Sequence, residues 1–144
     1  MRILIINGPN LDKLHLRDKT LYSTLHLAEL EKSISQEFQD VEFEFRQSNS
    51  ETEIISIIHD AAEDKNGIVI NPGAYSHSSI GIRDACEICK IPIVEVHLSN
   101  LAARENFRHT MITASKSAGY ISGFKENSYL IAIYALIKII SKQN

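Results

Sequence analysis

No apolar run in this chain of 144 residues approaches the roughly 20 residues that a membrane-spanning helix requires. The opening stretch, Met1-Arg-Ile-Leu-Ile-Ile-Asn-Gly-Pro-Asn10, carries one arginine and a short apolar run stopped by Asn-Gly-Pro, too short for a secretory signal. A soluble cytoplasmic protein with no membrane partner is therefore expected. An excess of basic residues is also lacking: 15 Lys and Arg stand against 18 Asp and Glu, a formal charge of −3. That balance excludes a general polyanion-binding surface, and with it a nucleic-acid partner, while leaving room for a local cationic pocket. No repeat, linker-like stretch or charge block divides the chain, and its length suits a single domain. With 44% hydrophobic and 23% charged residues the composition is that of a globular protein, which argues against disorder.

Cysteine is scarce. The two present, Cys86 and Cys89, have a Cys-x-x-Cys spacing, but they fall late in a helical segment, on the stripe Ile82, Ala85, Cys86 and Cys89. A redox pair belongs at a helix N-terminus, and a zinc site needs two further ligands at suitable spacing. Both are expected to be small core residues of that helix's inner face. Familiar ligand motifs are missing too. No Gly-x-Gly-x-x-Gly follows the first strand, no Gly-Lys-Ser/Thr phosphate loop and no Gly-x-Ser-x-Gly elbow occurs. The six histidines form no metal box with nearby carboxylates, and His26 and His59, within predicted helices, read as surface or rim residues.

What the chain does have is a steady alternation of short apolar runs and longer amphipathic segments. Arg2–Ile6 reads as a strand, and Thr24–Phe38 as a helix from Leu27, Leu30, Ile34 and Phe38. Val41–Phe45 alternates strictly, as a strand near a sheet edge does. Ser50-Glu-Thr-Glu53 is a capping-box pattern opening a helix with Ile54, Ile55, Ile57, Ile58, Ala61 and Ala62 inward, ended by Gly67. Gly67–Ile70 is apolar on both faces, as in the middle of a parallel sheet. The cysteine-bearing helix follows, then a strand at Ile91–Val96, a short helix at Leu101–Phe107 and a strand at Gly119–Gly123. The last helix, Asn127–Lys142, is apolar almost all round and calls for a subunit contact. This order predicts an α/β chain with a flavodoxin-like, doubly wound, five-stranded parallel sheet and helices on both faces.

In such sheets ligands bind beyond the carboxyl ends of the strands. Three predicted strands end in Asn7-Gly-Pro-Asn10, Asn71-Pro-Gly-Ala-Tyr-Ser-His77 and His97-Leu-Ser-Asn100. Any one of these is turn chemistry; three at one edge gather Asn, His and Ser around a common point, beside Gly and Pro that set tight turns.

These segments carry a family resemblance. Asn7-Gly-Pro-Asn-Leu11, Arg17 with Tyr22, Gln47-Ser-Asn49, Ile70–Ser78, Arg83-Asp-Ala85, Val94–Asn100 and Arg104-Glu-Asn-Phe-Arg108 match type II 3-dehydroquinate dehydratase in order and spacing, over nearly the whole chain. The resemblance implies loss of water from 3-dehydroquinate to give 3-dehydroshikimate in the shikimate pathway, by anti elimination through an enolate, with neither metal nor organic cofactor. It makes residues 12–23 a mobile lid and assigns the base to Tyr22. A free tyrosine ionises near pH 10, so a phenolate at neutral pH needs roughly 3–4 kcal/mol of differential stabilisation from nearby positive charge. Arg17, which keeps its charge at any working pH, is the matching residue.

By the same resemblance Asn10 holds a water at the ketone oxygen, His97 protonates the departing hydroxyl, and Glu95, two residues earlier on the same strand face, orients the imidazole. A buried carboxylate in an apolar strand would otherwise be costly. Asn71 and His77 are the implied ligands of ring hydroxyls, Leu98 and Ser99 of the carboxylate, and Arg108 of a further hydroxyl. Asp84 is reached from a neighbouring subunit, within a homo-oligomer of trimers stacked into a dodecamer. Arg104, one helical turn from Arg108, braces the closed lid.

The chain departs from the family pattern chiefly in the lid. His15, Lys19 and Ser23 replace a Gly, a Pro and a Gly, which alters backbone freedom there. Ser50-Glu-Thr52 lacks the usual Gly after its acidic residue, and Gly123-Phe-Lys-Glu-Asn127 replaces a Gly-rich turn. Two other readings compete with the enzyme: a catalytically idle homologue that binds a small carboxylic acid as a regulatory or scaffold module, and a flavin binder. The second lacks a phosphate loop.

Overall fold

The computed structural model describes residues 1–22, 24 and 26–142, so Ser23, one of the lid replacements, lies outside the described residues. Five strands, β1 (Arg2–Asn7), β2 (Glu42–Gln47), β3 (Gly67–Asn71), β4 (Ile93–His97) and β5 (Gly119–Ser122), form one parallel sheet in the order β2-β1-β3-β4-β5. The flavodoxin-like strand order expected from the alternation of elements is present. Four helices make the crossovers and the C-terminus: α1 (Leu27–Glu37), α2 (Glu51–Asp64), α3 (Ile80–Ile88) and α4 (Asn127–Ser141).

The period-two alternation of β1 divides the core. Ile3 and Ile5 point to one face and join Leu30, Ile34, Tyr129, Ile133 and Leu136 from α1 and α4. Leu4 and Ile6 point to the other and join Ile54, Ile58, Ile82 and Ala85 from α2 and α3. Central strands buried on both sides must be apolar at every position, which is why β3 and β4 read as continuous runs. The alternating β2 lies at the sheet edge.

Several boundaries differ from the sequence expectation. α1 starts at Leu27 rather than Thr24, because the backbone N–H of His26 donates to the Glu29 carboxylate at 2.8 Å and ends the free chain there. At α2 the Ser50 hydroxyl does cap the Glu53 N–H, at 3.3 Å, but the Glu53 carboxylate accepts from the Ser48 hydroxyl at 2.6 Å instead of turning back to Ser50. Gly67 does not end α2, which stops at Asp64; it opens β3, pressed against Leu136. Ala62 is exposed. The short helix predicted at Leu101–Phe107 is two 3-10 turns, Leu101–Ala103 and Asn106–His109.

Cys86 is buried as expected, and burial pushes its thiol up to about 12. Cys89, by contrast, sits half-buried just past the end of α3. No helix among the described residues is long and apolar enough to cross a membrane.

Candidate active site

The carboxyl ends of β1, β3 and β4 meet at one edge, and the polar residues after each strand turn towards it. The approach is close. The Gly8 N–H donates to the Asn71 carbonyl at 2.8 Å, and a Cβ on Gly8 would stand 2.7 Å from the Pro72 carbonyl oxygen. Only glycine allows the two strand ends to touch in this way. The next turn is braced from β2: the Gln47 amide donates to the Gly8 carbonyl and to Asn49 Oδ1, each at 3.2 Å, and Asn49 Oδ1 also accepts the Asn10 N–H at 3.0 Å. Asn10 thereby holds a left-handed conformation at φ 67°. The Gln47-Ser-Asn49 segment is a brace for the Asn10 turn.

Beneath the edge, Tyr129 of α4 ties β1 to β3. Its buried hydroxyl donates to Asn7 Oδ1 at 2.6 Å and accepts from the Asn71 amide at 3.0 Å, while Asn71 Oδ1 accepts the Gly73 N–H at 3.1 Å. Burial raises the Tyr129 phenol well above its ordinary range, so it acts as a neutral hydrogen-bonding post.

Asn10, Arg17, Tyr22, Asn71, His77, His97, Leu98, Ser99 and Arg108 line one cavity of about 190 Å³. Residues scattered over most of the sequence are thus brought together. Residues 12–22 lie folded down on it, anchored by Leu11 and Leu14 in the core. Tyr22 is 7% exposed, and its N–H donates to the Asp18 carbonyl at 3.0 Å. Among the described residues only Asn10 and Lys125 are non-glycines at positive φ, so His15 and Lys19 sit in the segment without left-handed backbone strain. His15 instead stacks on His26, ring centroids 4.6 Å apart.

At the mouth, two guanidinium groups converge on one phenol oxygen. Arg17 Nη2 donates to Tyr22 Oη at 2.6 Å, with its guanidinium 3.9 Å from the ring centroid, and Arg104 Nη1 donates to the same oxygen at 2.8 Å. The Arg104 Nη1 also donates to the Ser99 hydroxyl at 2.8 Å. Arg104 thus reaches the lid segment, as expected, and does so through the phenol of Tyr22. Glu105 links Arg104 and Arg108, and the hydrogen bond from Arg108 holds its carboxyl below the usual range.

Across the cavity, His97 Nε2 donates to Glu95 Oε1 at 2.7 Å, leaving Nδ1 as the ring nitrogen available to a ligand. Glu95 is 0% exposed and lies under the cavity, not in its wall. His77 stacks beside His97 at 6.3 Å and donates through Nδ1 to the Thr110 carbonyl at 2.9 Å, which leaves Nε2 facing inward. Burial lowers the His77 imidazole below its ordinary value.

Asp84 is the predicted site residue that stands apart. It is exposed on α3, paired with Arg83, and contributes nothing to this cavity within one chain. A larger, more open hollow of about 500 Å³ lies along β5 and shares Arg108 and Leu101 with the site, but neither Tyr22 nor His97 lines it. No group of three or more His, Cys, Asp or Glu able to hold a metal occurs among the described residues.

A phenol under two cations, facing an imidazole backed by a carboxylate, suits proton abstraction at one side of a small anion and proton delivery at the other. Comparison with known proteins agrees. The model of the family described as dehydroquinase class II matches residues 1–137. The chain belongs to the type II dehydroquinases. A 3-dehydroquinate dehydratase from Caldicellulosiruptor bescii is 49% identical over 142 residues, covering 96% of this chain and 98% of that protein. One from Carboxydothermus hydrogenoformans is 45% identical over 146 residues, covering 100% and 95%. The crystal structure of a type II dehydroquinase from Butyrivibrio crossotus superimposes with a TM-score of 0.91 at 42% identity, covering 94% of this chain and 97% of that one. Among type II dehydroquinases, then, this chain keeps the shared fold.

Proposed function

We propose that the protein dehydrates 3-dehydroquinate to 3-dehydroshikimate, as its family does, with Tyr22 as base and His97 as acid. The observation that carries these roles is the phenol oxygen of Tyr22 under the two N–H donors of Arg17 and Arg104, at 2.6 and 2.8 Å. Two fixed positive charges stabilise a phenolate in a partly dry site far more than they would in water. The phenolate removes a proton from the carbon next to the ketone, and the electron pair moves onto the ketone oxygen as an enolate. A water held by Asn10 stabilises that oxygen. Collapse of the enolate breaks the bond to the neighbouring ring hydroxyl, and His97 supplies the proton that lets it leave as water. The Glu95 carboxylate orients the ring through its contact with Nε2. Protons and electron pairs balance within the substrate and two side chains, so the elimination as written calls on no cofactor.

Binding roles follow the same reading. Asn71 and His77 take ring hydroxyls, Arg108 another, and Leu98 and Ser99 the carboxylate. Three arginines in the wall supply a cationic pocket on a chain of formal charge −3, which suits an anionic substrate. Residues 12–23 act as the lid of a single domain, and the place of action is the cytoplasm.

The exposed Asp84 of one subunit enters the site of its neighbour in a trimer, and trimers stack into a dodecamer; Ile131 and Tyr134, exposed on α4 at 39% and 59%, support further packing. Light scattering on the purified protein measures that assembly, and a monomer would refute it. For the reaction, 3-dehydroquinate is added and the conjugated-enone absorbance of the product is followed. Tyr22→Phe should abolish turnover while substrate binding persists. Equal loss of both would refute the base assignment, and no absorbance change with the unaltered protein would refute the activity.

A further inference from the structure

Glu95 is wholly buried in the middle of the apolar strand β4, with its carboxylate turned towards the turns that carry Ser76 and Thr113. Three donors from three different parts of the chain meet it. Oε1 accepts from His97 Nε2 at 2.7 Å and from the Ser76 hydroxyl at 2.6 Å. Oε2 accepts from the Thr113 hydroxyl at 2.6 Å. Ser76 and Thr113 are themselves fully buried, with their oxygens 3.3 Å apart. The segments that carry them are joined by the backbone, since the Ile112 N–H donates to the Ser76 carbonyl at 2.7 Å.

Every one of these contacts asks the carboxyl group to accept. The contacts also divide the work. Oε1 is held twice, once by the imidazole whose direction matters for the reaction. Oε2 is held by Thr113, and this second anchor stops the carboxylate plane from turning about its own axis. With Oε2 released, the direction of Oε1 is no longer set, and neither is the direction of the imidazole it holds.

We propose that Thr113 and Ser76 are positioning residues of the elimination, clamping the Glu95 carboxylate so that it aims His97 at the departing hydroxyl. The proposal rests on the reading of His97 as the acid. Neither hydroxyl touches the cavity, so their effect is on the step and not on substrate affinity. Nothing in the spacing of Ser76 and Thr113 along the chain marks them for this role, because they converge only through the docking of the Gly73–His77 and Thr113–Lys116 turns beside β4.

The test compares Thr113→Val, which keeps the shape and removes the hydroxyl, with Thr113→Ser, which keeps the hydroxyl. Loss of an orienting partner commonly costs about tenfold or more in activity. Thr113→Val should therefore lower kcat by about tenfold with KM unchanged, while Thr113→Ser recovers most of that loss. Unchanged kcat, a rise in KM alone, or a loss that Thr113→Ser does not recover would overturn the proposal. If Thr113→Val does not fold, Ser76→Ala is judged by the same split between kcat and KM.

A second readout needs no turnover. The hydrogen-bonded Nε2 proton of His97, identified by its absence in His97→Asn, should give a downfield NMR signal that moves in Thr113→Val. A signal that moves in a protein without dehydratase activity refutes the activity and keeps the clamp. Full activity in the unaltered protein with an unmoved signal in Thr113→Val refutes the clamp alone.

Discussion

Arg104→Met is the perturbation that most directly tests how the Tyr22 oxygen is charged. The Arg104 side chain is only 6% exposed, so its charge acts through little water. It gives one of two N–H donors to Tyr22 Oη and also ties the Ser99 hydroxyl, both at 2.8 Å. Methionine fills much of the same volume without charge or donor. A hydrogen bond to a charged partner contributes about 1.5–3 kcal/mol. Because the bond strengthens when the phenol becomes a phenolate, most of that falls on the reacting state, and each ~1.4 kcal/mol is tenfold in rate. kcat should fall by about 10- to 100-fold. KM should rise as well, since Ser99 loses the partner that holds it in the cavity wall. Arg104→Lys, which keeps charge but not the planar fork, should fall between the two. The assay is the initial rate of enone appearance at saturating 3-dehydroquinate, with circular dichroism to establish folding. A folded Arg104→Met protein with unaltered kcat would refute the reasoning, because Arg17 alone would then suffice to charge the phenol.

Three further outcomes follow from the packing. Tyr129→Phe removes the hydroxyl between Asn7 and Asn71 and leaves a buried acceptor and a buried donor without that partner; denaturant unfolding should show a loss of about 2–4 kcal/mol, and a loss below about 0.5 kcal/mol would count against the post. Burial lowers the His77 imidazole, so the unfolded chain binds the proton more readily, and stability should drain as pH falls through the ordinary histidine range of about 6.5. His77→Gln should lessen the difference in unfolding midpoint between about pH 7.5 and 5.5, and an identical difference would refute that share. Cys86, pushed up to about 12, should resist alkylation in the folded protein at mildly alkaline pH, whereas Cys89, half-buried, should react first; mass spectrometry showing equal labelling would contradict this.

The legibility of the fold came from periodicity. Ile3 to Ile6 alternate between two cores, and the stripes of α1, α2 and α3 face the sheet, so element order and layer architecture could be read from residue spacing alone. The site was legible where a strand ends in polar residues, as at Asn7–Asn10, Asn71–His77 and His97–Ser99. Asp84 was legible as a motif, but within one chain it stands outside the cavity. At Gly67 a glycine after a helix resembles a cap in the sequence, whereas its lack of a side chain serves contact with Leu136.

Local spacing thus determined which segments are strands and helices, and which strand ends carry chemistry, because those properties depend on neighbours within a few residues. Tertiary structure alone decided which side chains meet. Arg104 reaches a phenol 82 residues away, Thr113 reaches Glu95 across 18, and Tyr129 joins Asn7 across 122. A hydrogen bond works only within a few tenths of an ångström and a narrow angle. Such tolerances are met by the docking of whole helices and turns against the sheet, and no pattern along the chain records where a docked element comes to rest.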